Sequence, residues 1–165
     1  MFSALLRDLE QPEYVHTLLN PLPVYGLAVA LFGFIAALYL RSLGGRRVGL
    51  ILIFATAMSA WPVVHYGSAA YDRVLSLSDQ AGEAWLAAHA HRADYVAIYY
   101  LLALVAVLTL FLPLKWPRTS WPLVWLTLVL AFAALACGSY IAYAGGKVRH
   151  REFRNTSPPP KPAES

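Results

Sequence analysis

Residues 48–66 read VGLILIFATAMSAWPVVHY, an apolar run without a single Asp, Glu, Lys or Arg. An α-helix rises ~1.5 Å per residue, so about 20 such residues cross a hydrocarbon layer roughly 30 Å thick. Backbone groups in lipid must be paired within their own segment, which favours helices for these runs. Three further charge-free runs have a similar length, namely Leu22–Leu40, Tyr95–Leu114 and Trp121–Ala144. The sequence therefore predicts an all-α fold, an integral membrane four-helix bundle.

The composition agrees with a membrane protein. Hydrophobic residues make up 59 % of the chain and charged residues only 13 %, far from the balance of a soluble domain. The net charge of +4 does not indicate a nucleic-acid partner, because the basic residues flank apolar runs. Cys137, the only cysteine, lies inside the fourth run and cannot form an internal disulfide. We expect contact with a lipid bilayer and no nucleic-acid partner.

Polar residues between the runs are sorted by type. The loops at residues 41–47 and 115–120 contain only basic charge, so the positive-inside rule places them in the cytoplasm of a bacterial inner membrane. Both termini would then be periplasmic. A basic cluster directly after the fourth run argues for the reverse, but earlier helices usually dominate. All nine acids and all five histidines are predicted at the opposite, periplasmic face: Asp8, Glu10, Glu13, Asp72, Asp79, Glu83, Asp94, Glu152, Glu164, His16, His65, His89, His91 and His150.

The chain divides into three parts. Residues 1–21 predict an amino-terminal interfacial segment, with a short helix lying on the membrane and broken at Asn20 to Pro23. Residues 22–154 form the four-helix transmembrane domain. Residues 155–165 are polar and rich in proline, which predicts a disordered tail.

The second and third helices are expected to continue beyond the membrane as an extended helical hairpin, with its turn near residues 76–78. Residues equidistant from such a turn lie side by side, which would bring His65 close to His89 or His91. Pro62 removes a backbone donor and should kink the second helix. That kink is expected to aim His65 inward.

A neutral imidazole can bind a metal ion or haem iron, so His65, His89 and His91 are the candidate cofactor ligands. His89 and His91 point about 200° apart around a helix, so at most one of them can face His65. A single zinc or copper ion would need a further ligand, and His16, Asp94 or His150 could supply it.

Haem b is the other candidate cofactor. Two axial histidines do not suit adjacent helices packed at ~8 to 10 Å. A haem would fit if the hairpin splays, or across the bundle with His16 or His150 as a ligand. The alternative without any cofactor is that these imidazoles hydrogen-bond to Asp94, Tyr66 or backbone at the membrane surface.

The segment from His16 to Ala30 resembles the opening signature of an uncharacterised bacterial family of four-helix integral membrane domains (domain-of-unknown-function family twenty-two thirty-one). The Pro-interrupted second run ending at His65, the histidines His89 and His91, and the exit at residues 145–151 are similar to it as well. In this family proline directly follows the first histidine, whereas Thr17 follows His16 here. Members occur alone or joined to Rieske iron–sulfur or c-type cytochrome domains, which implies electron transfer.

The sequence thus favours a non-catalytic redox or assembly subunit with a histidine-bound haem b or metal near the outer face, acting with respiratory or other redox membrane proteins. The alternative is a structural protein that docks a partner through the outer hairpin, Gly67 to Asp94. A transporter is not expected, because the span centres hold no ionisable group. No nucleophile–base pair, phosphate-binding loop or HExxH pattern indicates an enzyme. The sequence gives no indication of oligomeric state.

Overall fold

The computed structural model describes residues 2–115 and 120–160, with side chains for residues 6–112 and 120–160. These residues form helices and turns, with no strand among them. Two α-helices of the described chain precede a π-helical turn at Leu22–Gly26, and a 3-10 turn lies at Ala93–Val96. The helices are α1 (Phe2–Leu9), α2 (Pro12–Leu19), α3 (Leu27–Tyr39), α4 (Leu43–Met58), α5 (Ala60–Ser76), α6 (Gln80–Arg92), α7 (Ala97–Lys115) and α8 (Ser120–Arg149).

These elements join into four rods that are long and apolar enough to cross a membrane. Each rod contains one of the predicted apolar runs, to within about two residues at its ends, so the four-helix membrane bundle is confirmed. Large apolar side chains such as Val29, Phe32 and Trp125 are exposed on the outside of the bundle, as lipid-facing residues are. The rods are Pro12–Tyr39, Leu43–Ser76, Gln80–Leu112 and Ser120–Arg149.

The second rod is interrupted at Ser59, where α4 ends and α5 begins. Pro62 lies three residues later and cannot donate the hydrogen bond that would continue the helix there. The helix is thus interrupted close to Pro62, while the kink itself stays a prediction.

The first rod differs from its prediction. Pro21 to Pro23 do not separate a surface helix from the membrane helix, because the chain passes through the π-helical turn into α3. α2 packs along α5 as part of the bundle. A π turn needs no donor from the two prolines, so this geometry accommodates them without ending the rod.

The chain alternates in direction, which gives the bundle two different ends. The α3–α4 turn, the last residues of α7 and the start of α8 lie at one end, which we call the basic end. Arg46 stacks over the Trp121 ring at 5.7 Å, so the start of α4 and the start of α8 are neighbours there. α2, the α5–α6 turn and the last turns of α8 lie at the other end, which we call the histidine end. The predicted sorting of charge between two ends is confirmed for the described residues, whereas residues 116–119 and Glu164 lie outside them.

At the basic end the helices pack closely. α3 contacts α4, α4 contacts α7 and α7 contacts α8 along their lengths, around Phe34, Ile53 and Leu102. Gly49 lets α4 approach α3, since a Cβ at Gly49 would lie 2.9 Å from Phe34 Cβ. The buried hydroxyls of Thr109 and Thr127 hydrogen-bond to each other at 2.8 Å and link α7 to α8. This half is a continuous core.

The tail after α8 turns back onto the histidine end. Lys147 is buried, and its ammonium donates to the hydroxyls of Tyr143 at 2.6 Å and Thr156 at 2.9 Å. Residues 155–160 are irregular, and the predicted disorder of this tail stays a prediction. Residues 161–165 of that predicted segment lie outside the described residues.

Candidate functional site

A cleft of about 1040 Å³ opens between two helix pairs at the histidine end. α2 packs against α5 and α6 packs against α8, but α5 and α6 touch only sparsely. The hairpin predicted between spans two and three is present, yet its arms are splayed. Each arm is bound to a different partner helix, and the space between the pairs is the cleft.

His16 of α2 lies in this cleft against α5. Its Nδ1 lies 2.8 Å from the backbone oxygen of Val63. A Cβ at Gly67, one helical turn after Val63, would be only 2.8 Å from the same Nδ1. The imidazole therefore lies flat on α5, and it fits there because residue 67 has no side chain.

His89 of α6 uses the same arrangement on the other helix pair. Its Nδ1 lies 3.0 Å from the backbone oxygen of Ile141 in α8. Gly145 follows Ile141 by one turn, and a Cβ there would be 2.9 Å from His89 Cε1. Both histidines are thus held by a carbonyl and a glycine spaced one turn apart on a neighbouring helix.

The two rings lie next to each other in the cleft, edge to face. Their centroids are 6.2 Å apart and their planes are inclined by 80°. A carbonyl oxygen can only accept a hydrogen bond, so Nδ1 of each neutral ring must carry the proton. Nε2 of each ring is then left with its lone pair, which is the state in which imidazole binds a metal.

His65 is not part of this pair. It is exposed and stacks on Trp61 with a centroid distance of 5.7 Å and an angle of 12° between the rings. The inward orientation predicted for His65 is therefore wrong. The predicted proximity of His65 to His89 or His91 assumed that α5 and α6 pack against each other. Instead α2 packs beside α5, and His16 of α2 lies next to His89.

His91 is also exposed, and its Nδ1 lies 3.7 Å from an oxygen of Asp94. His150 is exposed as well and lies 2.9 Å from Glu152 at the mouth of the cleft. Within residues 2–115 and 120–160, no group of three or more His, Cys, Asp or Glu side chains could hold a metal ion. The triad His65, His89 and His91 is not assembled, and whether any single histidine binds a cofactor stays a prediction.

Asp79 and Arg154 form a set of contacts at the turn between the two arms, which we call the clamp. Asp79 caps α6 by accepting from the backbone N–H of Gly82 at 2.8 Å. Arg154 donates to both oxygens of Asp79, and it also donates to the carbonyls of Lys147 and Val148 at the end of α8. The Gly82 N–H, followed by the Arg154 guanidinium, holds the pKa of Asp79 below its usual value. The clamp ties α6 to α8 at the rim of the cleft.

The inner end of the cleft is apolar. Pro23, Val24, Ala60 and Val96 line it together with the ring of Tyr99. This end lies deepest in the bundle, among the residues of the membrane-crossing rods. The mouth, in contrast, carries Asp8, Glu13, Asp72, Arg149 and His150.

The cleft combines two neighbouring imidazoles, an apolar interior and a charged mouth. Such a site can hold a flat, largely apolar molecule that offers a metal to both rings and carries polar groups at one edge. Sequence reasoning identified His89 but placed His16 only among the alternatives. No family model matches the chain, and neither a curated protein nor a solved structure matches it at a significant level.

Proposed function

We propose that this chain is a membrane electron-transfer subunit that binds one haem b between His16 and His89. The observation that carries the proposal is the pair of adjacent histidines, with ring centroids 6.2 Å apart and both Nδ1 atoms on backbone carbonyls. The four apolar rods support a membrane location for it.

The ring separation fits a metal between the two imidazoles. A metal–imidazole bond is about 2 Å long, so two ring nitrogens that share one metal would keep their rings at about this separation. The carbonyl of Val63 and the carbonyl of Ile141 fix the tautomers that such a metal requires.

A haem suits the donor set better than a bare metal ion. A structural zinc ion takes four protein ligands and a catalytic one takes three, and no group of three is found in the described part of the chain. A porphyrin supplies four nitrogens of its own and needs only the two axial ligands. The cleft, at about 1040 Å³, is at the upper end of the range for cofactor and ligand pockets.

The lining of the cleft suggests how the porphyrin edge with the two carboxylates is oriented. Val24, Ala60 and Val63 offer the apolar surface that the ring needs, while Arg149 and His150 lie at the charged mouth. Arg149 would pair with a carboxylate there. Asp8 and Asp72 at the same mouth would repel a carboxylate of the porphyrin. That carboxylate would therefore have to lie nearer to Arg149 and His150 than to the two acids.

When bound, haem b supplies one-electron transfer. His16 and His89 would both hold the iron, so these residues suit an electron carrier more than an enzyme that activates a substrate at the iron. This is the redox role implied by the resemblance to the four-helix family, and redox membrane proteins are the partners it would require.

The positive-inside rule supports a periplasmic position for the histidine end. The α3–α4 turn carries Arg41, Arg46 and Arg47, so we propose that the basic end is cytoplasmic and that both termini are outside a bacterial inner membrane. The haem would then lie near the outer face.

The test is haem reconstitution of the purified protein in detergent, followed by absorption and electron paramagnetic resonance spectra. The wild type should bind one haem per chain with a low-spin spectrum of two axial histidines. His16→Ala and His89→Ala should each abolish that spectrum. His65→Ala and His91→Ala are matched controls, and both should keep it.

Failure of the wild type to bind haem stoichiometrically would contradict the proposal, and so would equal losses in the control variants. In either case the docking of a partner through the outer hairpin would be the remaining candidate. The Asp79–Arg154 clamp, which holds the hairpin turn in place, favours that second role.

A further inference from the structure

The segment of residues 41–47 at the basic end carries three arginines and no acid: Arg41, Arg46 and Arg47. Arg41 and Arg47 are exposed, and Arg46 is half-buried. None of the three has an ion pair or a side-chain hydrogen bond to another described residue, whereas three arginines near the histidine end each pair with an acid. Guanidinium groups without a counter-ion concentrate positive charge here, and this charge can attract an anion from outside the chain.

Arg41 occupies a backbone position that glycine usually takes. α3 ends in a Schellman motif, in which the backbone N–H of Arg41 donates to the carbonyl of Leu38 at 3.1 Å. The N–H of Ser42 donates to the carbonyl of Ala37 at 3.0 Å and completes the motif. Arg41 is left-handed, with a φ of 52°, a conformation that glycine adopts without the steric cost of a Cβ. The backbone therefore does not favour arginine here, which suggests that its side chain is used for binding.

Arg46 connects this segment to the start of α8. Its guanidinium lies over the Trp121 ring, with 5.7 Å between Cζ and the ring centroid. A guanidinium can stack on an aromatic face and bind phosphate through its planar set of N–H groups. Tryptophan is enriched where a membrane meets water, and the large apolar side chains beside the arginines are exposed. These are Tyr39, Leu40, Leu43 and Trp121. The anion that fits both features is one that carries hydrocarbon chains.

We propose that this surface binds the headgroup of an anionic phospholipid, with the phosphate held by Arg41, Arg46 and Arg47 and the acyl chains along Leu43 and Trp121. A guanidinium offers paired N–H donors that match two oxygens of a phosphate. The surface lies at the end of the bundle opposite to the cleft, so the inference goes beyond the proposed function and does not depend on the haem.

The experiment measures lipid binding to the delipidated full-length protein in detergent by native mass spectrometry. Phosphatidylglycerol should bind saturably and more tightly than phosphatidylcholine of the same chain length, because the arginines repel the choline ammonium. Arg41→Gly should weaken phosphatidylglycerol binding about fivefold, the usual contribution of one basic residue at an anionic surface. Arg47→Gln should do the same at an ordinary helical position. Equal affinity of the wild type for both lipids, or unchanged affinity in both variants, would overturn the proposal.

Arg7→Gln is the matched control. Arg7 is exposed in α1, next to Asp8 at the mouth of the cleft, and its replacement removes the same charge at the other end of the molecule. Its affinity for phosphatidylglycerol should equal that of the wild type. A loss as large as that of Arg41→Gly would mean that the lipid responds to net charge alone, and the site would be refuted.

Thermal unfolding without lipid separates binding from folding. Arg41→Gly should be at least as stable as the wild type, because glycine suits the left-handed position. A lower melting temperature together with unchanged lipid affinity would assign Arg41 to the fold and contradict the proposal.

Inorganic phosphate is the competing anion. Added at the concentration of the lipid, it should not displace phosphatidylglycerol, because it has no acyl chains to contact Leu43 and Trp121. Displacement that depends on the same arginines would show that the surface takes a free anion and would overturn the assignment to a lipid.

Discussion

The two halves of this bundle are built from the same kind of helix but packed in different ways. At the basic end, α3, α4, α7 and α8 contact one another in sequence around one core. At the histidine end the same rods separate into the pairs α2–α5 and α6–α8. Apolar rods of this length can pack fully, as the basic half shows. The opening at the other end is therefore a specific feature of the histidine half.

An added methyl group should reduce stability more in the closely packed half than in the open half. Gly49→Ala would place a Cβ 2.9 Å from Phe34 Cβ and 3.0 Å from Phe34 Cα, so α3 and α4 must move apart. We expect a loss of about 1–3 kcal/mol of stability. Unfolding of the purified protein by heat or denaturant in detergent measures it.

Gly33→Ala is the control, since a Cβ there meets nothing within 4 Å. If both variants lost the same stability, the close α3–α4 contact would not be what holds the basic half together.

In the open half, replacing a glycine by alanine should affect ligand binding more than stability. Gly145→Ala would place a Cβ 2.9 Å from Cε1 and 3.0 Å from Nδ1 of His89, which must displace the ring from the carbonyl of Ile141. A group that hydrogen-bonds to a metal-binding histidine, as the carbonyl of Ile141 does here, typically contributes 10- to 100-fold to metal affinity. We therefore expect the haem affinity of Gly145→Ala to fall about tenfold or more. Haem titration followed by absorption measures the change.

Gly33→Ala is again the control, because a Cβ there meets nothing within 4 Å and the residue does not line the cleft. Unchanged haem affinity in Gly145→Ala, or an equal fall in Gly33→Ala, would show that Gly145 does not position His89.

The smallest expected effect concerns the clamp at the rim. Asn caps a helix about as well as Asp, so Asp79→Asn should keep the cap of α6 but lose the ion pairs to Arg151 and Arg154. The pKa of Asp79 is lower in the folded protein than its ordinary value of 3.8. Its ionised form therefore stabilises the fold above that value, and the contribution is lost as the pH falls through the lowered pKa.

Wild type and Asp79→Asn should thus differ slightly in melting temperature at neutral pH and converge in strongly acidic buffer. Thermal unfolding at several pH values tests this. A difference that stayed constant down to low pH would mean that the carboxylate charge is not what the clamp uses.

Much of the fold could be predicted because lipid imposes simple rules. Charge-free runs of about 20 residues fix the rods, and Pro62 fixes the break at Ser59. The grouping of histidines at one end followed from the order of loops. What could not be predicted is which histidines meet, because that depends on how the hairpin arms separate.

His65 shows why. Its distance from the turn suggested contact with the third rod, but α5 packs on α2 and leaves His65 exposed. The signal that could have identified the pair was two glycines, Gly67 and Gly145, each of which leaves room for an imidazole ring from a neighbouring helix.

The π-helical turn at Leu22–Gly26 acts as a one-residue offset in the first rod. In a regular helix each residue turns the chain by about 100°. Deleting one residue between Pro21 and Gly26 would turn α2 through about that angle relative to α3 and carry His16 away from His89. The length of the segment that joins α2 to α3 therefore decides whether two imidazoles meet in the cleft.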